Sequence, residues 1–135
     1  MKKIIISLSL VFLSGCSFWN AYNMAKFDNN EYYLINSVHT NAVLGKEKCG
    51  QPDVKYYVKN IWSKSNEFAN YASSIQNNEE TVTMSLELVK ITKGLNDKYE
   101  KESDVSKHYC EAKFNLVEKN SKTIKDVIGG KPRWV

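Results

Sequence analysis

Apolar positions recur at helical spacing along most of this chain. Val54, Val58, Ile61, Phe68, Ala72 and Ile75 follow one another at three- and four-residue steps, with Ser65 filling the gap. The pattern predicts a helix from about Pro52 to Ile75. Pro52 suits the first helical position, Asp53 the first turn, where a negative charge meets the positive end of the helix, and Asn77-Asn78 ends the segment. A second helix is expected behind Asn78 as cap, with Glu79 and Glu80 in its first turn. Met84, Leu88, Ile91 and Leu95 form one stripe on it, and Val82, Leu86 and Val89 a second, which implies neighbours on two sides. Gly94 is a weak point, and Asp97 and Lys101 form a favourable pair four residues apart.

A third helix is expected from Ser103 as cap, with Asp104 behind it. Val105, Tyr109, Ala112, Leu116, Thr123 and Val127 line one face, and Phe114, Val117, Ile124 and Ile128 widen it. Glu118 and Lys122 support its polar side, and Gly129-Gly130 with Pro132 stop it. Residues 129–135 are then a short, mobile tail. Before Cys49, Leu34, Val38, Ala42 and Gly45 continue a helical pattern, although Tyr32-Tyr33-Leu34-Ile35 also suits a strand. Short connections between helices imply antiparallel neighbours. The expected fold class is all-α: an up-down bundle of three to four antiparallel helices over residues 27–128.

The N-terminus departs from this pattern. Met1-Lys2-Lys3 precedes an apolar run from Ile4 to Leu13, interrupted only by Ser7 and Ser9. Lysines before about ten apolar residues have the form of a secretory signal, and the run is too short to span a bilayer, which takes roughly 20 residues. Leu13-Ser14-Gly15-Cys16 then resembles the lipobox of bacterial lipoproteins. The resemblance covers only the leader. It implies that residues 1–15 are removed and that the Cys16 sulfur takes a diacylglyceryl group. Further acylation of the new amine, by chains such as palmitate, would make the membrane attachment essentially permanent. Residues 16–26 become the lipidated N-terminus and tether. Ser17, which is not the Asp of an inner-membrane retention signal, implies an outer-membrane destination facing the periplasm or the cell surface. Phe18, Trp19 and Tyr22 suit either a membrane interface or the first apolar turns of the domain.

The leader also changes the charge. The whole chain of 135 residues carries 19 Lys and Arg against 15 Asp and Glu. Two of the 19 are leader lysines, so the remainder is nearly neutral and gives no argument for nucleic acid. A length of this order makes one domain with a real core. With Cys16 lipidated, Cys49 and Cys110 are left as one pair, and an exported chain with an even cysteine count favours a disulfide. It would join the end of the first helix to the last one.

No catalytic motif is present: no H-E-x-x-H, no G-x-S-x-G, and a Gly129-Gly130-Lys131 that ends a helix instead of opening one. Glu79-Glu80 and Glu100-Glu102 read as solvating charge. His39 and His108 lack metal-ligand spacing, and no cofactor or metal is expected. Tyr56, Trp62 and Trp134 are the candidate contact residues, because exposed aromatics anchor protein interfaces. The expectation is a non-enzymatic envelope lipoprotein, held to membrane lipid through Cys16, that binds or blocks another envelope protein. The alternative is a small-ligand, haem or metal carrier, with Met24 and His108 as imaginable haem ligands.

Overall fold

A computed structural model describes residues 24–133. They form four helices: α1 (Asn29–Glu47), α2 (Val54–Ser74), α3 (Glu79–Lys101) and α4 (Lys107–Gly129). Helix α1 packs on α2 and α4, and α3 packs on the same two, with no pair in contact across the diagonal. This is the up-down all-α bundle that the sequence pattern predicts, and Tyr32–Ile35 are helical.

Each helix turns one narrow seam inward, stepping alternately by four and three residues as in coiled-coil packing. On α1 the seam is Glu31, Ile35, Val38, Ala42 and Gly45; on α2 it is Val54, Val58, Ile61, Ser65, Phe68 and Ala72. On α3 it is Thr81, Ser85, Leu88, Thr92, Leu95 and Tyr99; on α4 it is Cys110, Phe114, Val117, Ser121, Ile124 and Ile128.

Two expected faces are therefore corrected. On α4 the inner face is the Phe114 and Val117 set, while Ala112, Leu116 and Thr123 are exposed. On α3 only Leu88 and Leu95 of the anticipated stripe lie in the seam, and Leu86 is exposed. The physical reason is that small hydroxyl residues occupy core positions without stranding a polar group. Ser65 donates to the Ile61 carbonyl, Thr92 to Leu88 and Ser121 to Val117, each one turn back along its own helix.

The helix starts show similar local chemistry. Helix α4 begins three residues later than expected, because Ser106 and not Ser103 supplies the cap: its Oγ accepts from the Tyr109 N–H at 3.1 Å. Helix α2 begins at Val54, with Pro52 in the preceding turn and Asp53 at the cap position. Asn77, in the α2–α3 turn, adopts φ 58°, a left-handed conformation that Asn tolerates. The ion pairs also differ from expectation. Asp97 pairs with Lys93, Lys122 with Asp126, and Glu118 reaches across to Lys46 on α1 at 2.6 Å.

Alternating helix directions give the bundle two distinct ends. One holds the Cys49–Cys110 disulfide, with both sulfur-bearing residues buried and 61 residues apart in sequence. The other gathers the start of α1, the α2–α3 turn and both ends of the described chain.

Candidate functional site

The tether end is built around a buried polar cluster. Asp28 caps α1, its Oδ1 accepting from the Glu31 N–H at 2.9 Å. Tyr71 on α2 donates its hydroxyl to the same carboxylate at 3.1 Å and so fixes the cap. The helix then turns Glu31 inward, in phase with Ile35 and Val38. Its two carboxylate oxygens are taken separately. Oε2 accepts from Lys131 Nζ at 2.8 Å, and Oε1 from Asn78 Nδ2 at 2.6 Å. Asn78 closes the triangle: its Oδ1 accepts from Lys131 at 2.5 Å, and its Nδ2 also donates to the Ala72 carbonyl at 2.9 Å. The Lys131 and Glu31 side chains are 2% and 0% exposed. A charge this deep is tolerated only when paired and hydrogen-bonded, and here both Glu31 oxygens are taken and Lys131 Nζ has two acceptors.

The cluster also explains why Asn78, at the cap position of α3, makes no side-chain cap hydrogen bond. Its amide is committed to Glu31, Lys131 and Ala72. Beside it lies a cleft of about 350 Å³ lined by Met24, Ala25, Asn77–Thr81 and Lys131. Thr81 Oγ1 is buried there without a hydrogen-bond partner.

The expected mobile tail is corrected as far as Arg133. Phe27 donates its N–H to the Pro132 carbonyl at 2.8 Å, and the Arg133 guanidinium lies 3.9 Å from the Phe27 ring centroid. Ala25 donates to the Asn77 carbonyl at 3.0 Å. The incoming strand of chain is thus stitched to the α2–α3 turn and to the outgoing tail. Gly130 ends α4 as expected, but Lys131 has an ionic partner in the core, which draws the tail in.

The opposite end offers a shallow groove of about 550 Å³ lined by Lys46, Glu47, His108, Glu111, Ala112 and Asn115. Among the described residues, no group of three or more His, Cys, Asp or Glu side chains is placed to hold a metal. His39 is half-buried, its Nδ1 3.1 Å from both the Glu118 carbonyl and Ser121 Oγ. The carbonyl can only accept, so this nitrogen carries the proton and the ring bridges α1 and α4. Met24 and His108 lie at opposite ends of the bundle. Helix α3 runs 23 residues between those ends, roughly 34 Å at 1.5 Å per residue, which excludes the pair as joint haem ligands.

The candidate contact residues do not form one patch. Tyr56 is 66% exposed and stacks edge-on against Tyr57, with ring centroids 5.3 Å apart. Trp62 is half-buried. It sits six residues further along α2, about 120° round the helix. Cys16 and Trp134 lie outside the described residues. Glu79 and Glu80 are exposed, Glu100 accepts from Asn96 at 3.1 Å, and Glu102 pairs with Lys98 at 2.9 Å. Glu102 holds the Lys98 ammonium above its ordinary value through that hydrogen bond.

The sequence reading missed the Glu31–Asn78–Lys131 cluster. A signal was present: Glu31 and Asn78 fall in phase with the four-three seams of α1 and α3, where a charge or amide is out of place unless partnered. Tyr33, 70% exposed on α1, was also missed. Comparison of the chain with family models, with curated proteins and with solved structures finds no match.

Proposed function

We propose that this chain is a lipid-anchored, non-enzymatic helical protein of the bacterial envelope, which acts by binding or blocking another envelope component. The observation that carries the reading is the sequence Leu13-Ser14-Gly15-Cys16 behind two lysines and an apolar run. Three structural facts support it. The Cys49–Cys110 bond belongs to an oxidising compartment. Among the described residues no helix is long and apolar enough to cross a membrane. The chain also enters the bundle at one end, where backbone and ring contacts grip residues 25–27.

From Cys16 to Met24 the chain spans at most about 29 Å whatever its path, at no more than 3.6 Å per residue. That length keeps the cluster end of the bundle near the anchoring surface. Exposed Tyr56 on α2 is the candidate contact for the partner, and the lipid concentrates the protein where that partner resides.

Two measurements test the proposal. Radiolabelled palmitate should enter the wild-type chain, and Cys16→Ser should abolish both the label and the mass change of maturation. Label retained in the serine variant overturns the anchor. Crosslinked envelope fractions should yield a partner that Tyr56→Ala, Trp62→Ala or Trp134→Ala weakens. An unchanged partner in all three removes the aromatics from the proposed contact.

A further inference from the structure

Residues 24–27 lie outside every helix, and other segments hold them to the bundle. Ala25 donates its N–H to the Asn77 carbonyl at 3.0 Å, and Phe27 donates to the Pro132 carbonyl at 2.8 Å. The Phe27 ring centroid lies 3.9 Å from the Arg133 guanidinium and 5.7 Å from the Tyr32 ring. Met24 and Lys26 are exposed, Phe27 is half-buried and Ala25 is buried.

The two sides of this contact are unequally secured. The tail is rooted by Lys131, whose ammonium is buried on Glu31 and Asn78. Beyond residue 27 helix α1 is secured too, because Asp28 caps it and Tyr71 holds that cap. Residues 24–27 bring neither a buried charge nor helical hydrogen bonds. Local opening starts where few buried contacts and solvent-facing backbone bonds coincide. This segment is therefore the part of the tether end that releases at least cost.

We propose that residues 24–27 form a releasable strap, closed on the fixed tail Lys131–Arg133, and that its opening sets how far the bundle stands from the chain before it. Ala25 and Phe27 leave together, because only Lys26 separates them and the loss of either bond leaves the other holding a short free end. Opening moves the first held residue from Met24 to Asp28. With Cys16 as the anchor, the reach to the bundle then grows from at most about 29 Å to at most about 43 Å, at 3.6 Å per residue. That consequence rests on the proposed lipid anchor, whereas the strap rests only on contacts among residues 24–133.

Trypsin tests the strap on the full-length chain in detergent. The Lys26–Phe27 peptide carries the N–H that Pro132 accepts, so cleavage there requires release. The Lys131–Pro132 bond resists trypsin, which leaves the tail side in place. Cleavage after Lys90, exposed in the middle of α3, reports opening of the bundle itself. Wild type should be cut faster after Lys26 than after Lys90. Arg133→Gln removes only the exposed ring contact, and should speed the Lys26 cut by about two- to fivefold while leaving Lys90 unchanged. Hydrogen exchange at the Phe27 and Ala25 amides should rise by the same factor, although Ala25 bonds to the α2–α3 turn and not to the tail. Lys26 cut no faster than Lys90 would mean that the segment opens only with the bundle. An unchanged Lys26 rate in Arg133→Gln, equal acceleration at both sites, or faster exchange at Phe27 alone would mean that no such unit exists. Each of these results overturns the proposal. None of the readouts uses the lipid, so the anchor can fail without touching them.

Discussion

Lys131 Nζ and Glu31 Oε2 are 2.8 Å apart across 100 residues of sequence, in a pocket that leaves both side chains essentially without solvent. Lys131→Met strands a carboxylate and the Asn78 carbonyl oxygen, and removing one partner of a buried pair costs about 3–5 kcal/mol. Urea denaturation of the variant should show that loss. Removal of residues 131–135 should show a similar one, which a free tail would not. The double variant Lys131→Met with Glu31→Leu should recover most of the stability, since apolar replacement of a whole buried pair is often neutral. A double variant no better than the single one would mean that packing, not charge, holds this end.

Gly45 is the close-approach point between α1 and α4. A Cβ built there would run into the Phe114 ring, which is fully buried. Alanine gains up to about 1 kcal/mol in a helix interior, but overpacking a tight core costs about 1–3 kcal/mol. Gly45→Ala should therefore be net destabilising. Gly94 on α3 has no atom within 4 Å of the equivalent position. Gly94→Ala should raise stability by up to about 1 kcal/mol, the full propensity gain. Thermal melts of the two variants should move in opposite directions.

The helices were legible because the hydrophobic steps of α2, such as Val54, Val58 and Ile61, repeat without interruption. The phases of α3 and α4 were not, because Ser85, Thr92 and Ser121 sit in the seam while Leu86 and Leu116 lie outside. A hydroxyl that bonds its own helix carbonyl has no polar cost in the core, so residue polarity alone misassigns it. The disulfide followed from cysteine parity and needed no geometry. In the tether-end cluster the seam phase marks Glu31 and Asn78 as out of place, but their pairing with Lys131 could not follow from local pattern, since the members belong to α1, the α2–α3 turn and the tail. Its charges are read as solvated until the fold brings them together.

The Cys49–Cys110 bond ties α1 to α4 at the end opposite the cluster. In the chain-entropy model, closing a loop of this length contributes about 4 kcal/mol, and measured values are often lower. Cys49→Ala with Cys110→Ala should lower the midpoint of urea unfolding accordingly while leaving helix content intact in water. Cys49 is 4% exposed and Cys110 fully buried, so reductant should attack only molecules that open. Thiol appearance under dithiothreitol should speed up with added urea. Rapid reduction of the native protein would place the bond on the surface, against its burial.

Tyr99 on α3 is buried, and its hydroxyl finds no hydrogen-bond partner. Burial pushes the phenol above its ordinary value, with a smaller contribution from Tyr109. An unpartnered buried hydroxyl costs about 1–3 kcal/mol. Tyr99→Phe, which keeps the ring, should therefore be neutral to stabilising at pH 7. The raised value also gives a sign at high pH. Above the ordinary value of 10.0 the unfolded chain ionises Tyr99 while the folded chain resists. Stability that is intact below pH 10 then falls as pH rises, because the unfolded state has fewer bound protons than the folded one. Phenylalanine removes this loss, so the advantage of Tyr99→Phe over wild type should widen between about pH 9.5 and 11. Unfolding curves taken across that range would show it. A constant difference would mean that the hydroxyl reaches water in the folded protein.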